Sequence, residues 1–283
     1  MTVSTKDLWE ASKAASVGKT ASTQEVHPAD DGYLPPVTSV KLPSRGVVYP
    51  PESPLYLVDS VDIKAVTASE ENILSSQTLI KKGTVLSVLM KACITNRSID
   101  PEEMLLGDRN AVLTAIRVSA YGAKYPVEVT CPSCGEESEH EFDLSRLTMK
   151  TLDVEPVGGP GTNEFAFKLP GSGRMANFRL LDANGLSKLE RDTEQVRKRT
   201  GNDQGVTMRL YAQVTRIDGV DPSMLAKAIN SMSAFDARAL RQYMDEIAPG
   251  IDMLQDYTCP KCAENREVVI PLGMGFFWPT RVG

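Results

Sequence analysis

The stretch Val129–Phe142, VTCPSCGEESEHEF, holds two of the chain's five cysteines, Cys131 and Cys134, at a spacing that suits a metal ion or a disulfide. Nothing beside it completes a metal site. The second half lies far down the chain, where Thr258–Ala263, TCPKCA, nearly repeats Thr130–Gly135, TCPSCG. Each six-residue piece leaves one strand-like segment and enters another, which describes a zinc knuckle: a tight turn whose two thiolates point inward while backbone N–H groups face the sulfurs. Two knuckles provide Cys131, Cys134, Cys259 and Cys262, and four thiolates at about 2.3 Å satisfy tetrahedral Zn2+ and leave no position open for water. The expectation is therefore a structural ion, not a catalytic one. Redox pairs and vicinal disulfides are the other uses of CxxC, but a thioredoxin-type pair sits at a helix N-terminus, whereas strands flank both pairs here. Iron–sulfur ligation fits the symmetric knuckles less well than zinc does.

A compact zinc ribbon has its cysteine pairs roughly 15–20 residues apart. Here residues 135–258 separate them, so the ribbon is discontinuous and the metal staples a mid-chain hairpin to a C-terminal one. On this reading, losing any one cysteine unfolds the junction. His140, on the return strand beside the first knuckle, is expected to be exposed or to lie just outside the ligand shell.

Working outward, the pattern is α+β: mixed helical blocks and short antiparallel strands around the ribbon. Residues 1–36 form a polar arm with one short helix around Asp7–Ala15. Residues 37–124 form a helical block with a strand lead-in, in which Leu55, Leu57, Val61 and Ile63 have strand character. Asp100, Pro101 and Gly107 mark the N-cap, first position and stop of one helix, and Asp108 caps the next. That next helix buries Val112, Leu113, Ile116 and Ala120, and Cys93 is a buried core side chain. Residues 125–147 and 251–275 are the two halves of the ribbon.

Residues 148–250 are an insert. KTLDVEPV, NEFAFKLP and MANFRLL read as its strands, with Phe165 and Phe167 on one face and Phe178 and Leu180 on another. A helical block runs from about Asp182 to Ala248, where Ser233 caps a helix with Asp236 three residues on and a stripe of Leu240, Tyr243, Met244 and Ile247. Residues 276–283 form a C-terminal tail. Its Phe276, Phe277 and Trp278 either fold back onto the core or dock on a partner, and we take them as a docking segment.

The 283 residues carry a net charge of −6, which argues against a chain built around phosphate neutralisation. The basic run Leu189–Thr200, LERDTEQVRKRT, interleaves acids with bases and reads as a solvated helix face. No apolar run approaches the roughly 18 residues needed to span a bilayer, and the N-terminus lacks a secretory apolar core, so a reducing cytoplasm is the expected place of synthesis. There are two histidines, His27 and His140, so a Ser-His-Asp or Cys-His arrangement is hard to build. No phosphate-binding GxxxxGK[ST] exists, and Glu102/Glu103 and Asp245/Glu246 read as solvated helix charge. No catalytic residue is expected.

Three segments, LPSRGVVYP (Leu42–Pro50), LLGDRNAVLTAIRVSAYGAKYPVEVTCPSC (Leu105–Cys134) and DYTCPKC…VVIPLGMGFFWP (Asp256–Pro279), together resemble the T4-type bacteriophage base plate protein family, over roughly residues 40–147 and 235–280. The resemblance implies a non-enzymatic structural or assembly component of a contractile-tail base plate hub, within a hetero-oligomer of other base plate and tail proteins. Its place would be the virion tail, or the host cytoplasm during assembly, with no specific nucleic acid and no membrane. Asp108, Arg109 and Arg117 are then either a buried ion-pair network, which we favour, or an inter-subunit contact. The competing class is a cellular zinc-ribbon adaptor or nucleic-acid-binding module. It needs a basic ribbon surface, and GEESEHEF is acidic.

Overall fold

The computed structural model describes residues 35–202, 204–270, 272 and 274–277. The proposed helix at Asp7–Ala15, nearly all of the 1–36 arm, and Trp278 lie outside them.

The architecture is α+β. Among the described residues, eight α-helices alternate with short antiparallel strands gathered into four two-stranded ladders and one three-stranded sheet. Strands β1 (Val37–Lys41) and β2 (Ser60–Lys64) pair through Val40↔Val61. Leu55 and Leu57, expected as strand, lie in turns instead. Pro50, Pro51 and Pro54 have no N–H to give a ladder, and Leu57 adopts a left-handed φ of 54° while its N–H bonds the Gly46 carbonyl. Helices α1 (Ala68–Leu74), α2 (Gln77–Lys82), α3 (Val85–Cys93) and α4 (Leu106–Tyr121) follow. Cys93 is fully buried on α3 among Leu89, Met90 and Ile94.

Helix α4 corrects three expectations at once. Asp100 caps only a turn, accepting the Glu102 N–H, and Glu102 and Glu103 stand in that turn, not on a helix surface. Gly107 does not stop a helix; it is the second residue of α4. A Cβ there would lie 1.9 Å from the Pro249 carbonyl oxygen, so backbone meets backbone and no side chain fits. Asp108 does not cap. Its buried carboxylate accepts the Ser44 N–H at 2.8 Å, the Ser44 hydroxyl at 2.5 Å and the Tyr49 hydroxyl at 2.6 Å. Tyr49 in turn accepts the Leu105 N–H at 2.9 Å. The LPSRGVVYP loop and the start of α4 are thus one hydrogen-bonded unit. Burial raises the Asp108 pKa against those hydrogen bonds.

The favoured Asp108–Arg109–Arg117 ion-pair network is also overturned. Arg109 faces Glu102, at 3.7 Å, the Ser87 hydroxyl and the Pro101 carbonyl. Arg117 points elsewhere, to carbonyls at the end of its own helix and in the C-terminal segment. Val112, Leu113 and Ile116 are buried as their spacing requires, while Ala120 is half-exposed.

After the first hairpin, β3 (Lys124–Thr130) and β4 (Glu137–Asp143), the chain enters the insert through β5 (Met149–Lys150). KTLDVEPV contributes only the end of that two-residue strand. Strands β6 (Phe165–Lys168) and β7 (Met175–Phe178) pair Phe165 with Phe178, and β8 (Val214–Ile217) adds to β7. The helical block expected over 182–248 is therefore broken: α5 (Ala183–Thr200) and α6 (Gly205–Gln213) precede β8, and α7 (Leu225–Asn230) and α8 (Ala234–Ile247) follow it. The β-branched Val214, Thr215 and Ile217 take the sheet edge once Gln213 ends α6.

Ser233 caps α8 by accepting the Asp236 N–H, and the Asp236 carboxylate accepts the Gly171 and Ser172 N–H groups of the β6–β7 turn. Leu240, Met244 and Ile247 are buried, and Tyr243 stacks on Phe167 at 4.6 Å. The polar face of α5 is solvated along the LERDTEQVRKRT run. The chain leaves the insert through β9 (Gly250–Ile251), antiparallel to β5, and forms the second hairpin, β10 (Leu254–Thr258) and β11 (Asn265–Val269). No helix among the described residues is long and apolar enough to cross a membrane.

Candidate metal centre

Each CPxC sequence closes its hairpin in the same way. The Cys131 N–H bonds the Glu136 carbonyl and the Gly135 N–H returns to the Cys131 carbonyl; the Cys259 N–H bonds the Glu264 carbonyl and the Ala263 N–H returns to the Cys259 carbonyl. The residue after the second cysteine is left-handed in both, Gly135 at φ 72° and Ala263 at φ 58°. This turn aims both sulfurs of a hairpin to one side.

The two hairpins face each other through those sulfurs. Cys131 Sγ lies 3.7 Å from Cys262 Sγ, Cys134 Sγ lies 3.7 Å from Cys259 Sγ, and all four sulfurs fall within 4.8 Å of one another. Tetrahedral metal–thiolate bonds of about 2.3 Å place their sulfurs about 3.8 Å apart, so the cavity between the four matches such an ion in number, element and size. A disulfide, at about 2.05 Å, is absent: all five cysteines are free thiols. Cys131 and Cys259 are buried and Cys134 and Cys262 exposed. Among the described residues, these four are the group of histidine, cysteine and acidic side chains able to hold a metal ion.

The protonation pattern fits a site designed around a cation. The Cys262 backbone N–H, helped by that of Lys261, holds the Cys259 thiol down at about 6 against the desolvation that raises it. Cys262 accepts the Glu264 N–H, which lowers its pKa, yet desolvation and the three neighbouring thiols push it up to about 12. Four sulfurs this close cannot all ionise unaided. A dication held by these sulfurs would favour the thiolate form of its ligands.

Contacts outside the sulfurs also join the hairpins, and residue spacing alone did not reveal them. The Ser138 and Tyr257 hydroxyls are 2.7 Å apart, Lys261 Nζ reaches Glu136 at 2.7 Å, and Arg266 donates to the Ser133 hydroxyl at 3.1 Å. His140 packs its ring 4.5 Å from Phe142 and 5.4 Å from Tyr257, half-buried and outside the sulfur cluster.

The C-terminal aromatics were expected as a docking segment. Phe276 and Phe277 instead fold back and are each 1% exposed. The Phe276 ring lies 5.1 Å from Tyr125, and its carbonyl accepts the buried Arg117 Nε at 3.0 Å, with Arg117 also over the Tyr121 ring. Among the described residues, this buried guanidinium is satisfied by carbonyls and aromatic faces. The Phe276 and Phe277 side chains are occupied within the chain, so this part of the aromatic cluster serves the core.

No curated protein and no solved structure matches the chain. The family model described as T4 bacteriophage base plate protein matches residues 36–278, from the start of β1 past the last described residue. The Ser44–Tyr49–Asp108 unit and both CPxC hairpins lie within that match, and the chain belongs to the T4 bacteriophage base plate protein family.

Proposed function

We propose that the protein is a non-enzymatic structural or assembly component of a contractile-tail base plate, built around one structural Zn2+ held by Cys131, Cys134, Cys259 and Cys262. The family match across residues 36–278 carries this reading. The metal part is supported by four sulfurs spaced as a closed tetrahedral shell. Such a shell offers no open coordination position, so the ion orders the chain and activates nothing. Function then resides in the surfaces that the ribbon, the helical block of 37–124 and the insert of 148–250 present to other tail proteins, in the virion or in the host cytoplasm during assembly.

The electrostatics of the ribbon oppose the adaptor or nucleic-acid alternative. The outer face of the first hairpin exposes Glu128, Glu137, Glu139 and Glu141, with Glu128 directly opposite Glu139. This face repels phosphate.

Mass spectrometry of purified phage particles, paired with a metal assay on the isolated chain, tests both parts. The expected result is peptides of this chain in tail-containing particles, or in tail assembly intermediates, and one zinc per chain. Zinc well below one per chain would remove the metal, and salt-sensitive DNA binding without tail association would favour the alternative.

A further inference from the structure

We infer that the four-cysteine centre is also a site of oxidative modification, at which a peroxide replaces the metal by two crossed disulfides, Cys131–Cys262 and Cys134–Cys259. This rests on the reading of the four thiols as one metal site. Both 3.7 Å sulfur contacts cross from one hairpin to the other. Each also joins an exposed cysteine, Cys262 or Cys134, to a buried one, Cys131 or Cys259.

That pairing supplies the two roles oxidation needs. Hydrogen peroxide oxidises the sulfur of the exposed cysteine to a sulfenic acid with loss of water; the sulfur of the buried cysteine then attacks it and expels hydroxide, forming the S–S bond. For hydrogen peroxide, each disulfide consumes one peroxide and yields two waters, taking up two protons when the sulfurs start as thiolates. The four sulfurs together consume two peroxides and four protons and release the dication.

The alternative products are Cys131–Cys134 and Cys259–Cys262. Each would close a four-residue loop inside a turn already fixed by the Gly135 and Ala263 N–H bonds to the cysteine carbonyls. The crossed bonds close loops running from the first hairpin to the second, which constrain the unfolded chain far more. They also join the same two hairpins that the metal joins. The junction therefore has two chemically distinct staples, one suited to a reducing compartment and one to an oxidising one.

The test uses the full-length zinc-loaded chain titrated with hydrogen peroxide. Released zinc is read with a chromogenic chelator, and disulfides are mapped by mass spectrometry of an unreduced digest. Complete zinc release at about two peroxides per chain is expected, with peptides linked through Cys131–Cys262 and Cys134–Cys259. Links within each CPxC, or sulfinic acids without links, would overturn the inference. Protein that holds no zinc at the outset would remove the metal reading and with it the exchange, while the disulfide map of the same oxidised chain still decides the crossed pairing.

Discussion

The two CPxC hairpins share their turn chemistry but not their roots. The first ladders seven residues per strand and sends Tyr125, Val129 and Phe142 into the core, continuous with Leu144 and with α4. The second ladders five and buries a single strand side chain, Tyr257, while Val269 is 67% exposed at its open end. Below the sulfurs, then, the first hairpin has the larger hydrophobic foundation, and the second rests on Tyr257 and on Ile270 just beyond its last strand. The asymmetry marks where an ion held by the four sulfurs would add most, because the second hairpin packs less than the first.

Metal removal is the severest test of that contrast. Apparent binding energies of structural zinc reach about 10–16 kcal/mol in finger peptides, so a strong chelator should dominate every other perturbation. Hydrogen exchange is expected to show amides of Leu254–Val269 losing protection while those of Lys124–Asp143 keep most of theirs. Equal loss in both hairpins would show that the first also depends on the ion.

Smaller changes sharpen the comparison at the turn. Gly135 and Ala263 occupy the same left-handed position, which costs an L-residue about 1–2 kcal/mol. Gly135→Ala should destabilise by about 1 kcal/mol, whereas Ala263→Gly should stabilise by up to about 1 kcal/mol, as read from denaturant midpoints of the metal-loaded protein. Two changes of the same sign would mean that the turns are not equivalent. Tyr257→Phe removes the hydroxyl contact with Ser138 and should cost about 1 kcal/mol, with the loss confined to the second hairpin in exchange data. Smallest is Lys261→Ala: its bridge to Glu136 is largely exposed, and a slight loss of stability that fades in high salt is expected. A loss insensitive to salt would give Lys261 a role beyond that bridge.

The ribbon was legible because metal ligation imposes fixed residue types at fixed spacing, and such a pattern survives a long interruption. Local grammar was legible too, as with Ser233 and Asp236, where donor and acceptor sit three residues apart. What escaped was decided by distant partners. Gly107 and Asp108 looked like a stop and a cap, yet the Pro249 carbonyl and the hydroxyls of Ser44 and Tyr49 fix their roles. Strand β8 hid within a helical block because four residues become a strand only when β7 lies beside them. Phe276 and Phe277 illustrate the same limit: aromatic clustering announces burial without saying in which body.

The short ladder Met149↔Ile251 and Lys150↔Gly250 brings the two ends of the 148–250 insert onto adjacent rungs. Neighbouring strands sit about 5 Å apart, so the chain leaves and re-enters the body through one doorway. Between those rungs the chain also bonds the body directly, the Leu152 N–H to the Pro43 carbonyl, the Gly161 N–H to the Val47 carbonyl and the Ala183 N–H to the Met104 carbonyl. Length can change in loops of this segment away from those bonds, such as that between β8 and α7, while the four cysteines and α4 keep their relation. The architecture thereby separates what must stay constant from what is free to vary in size and surface.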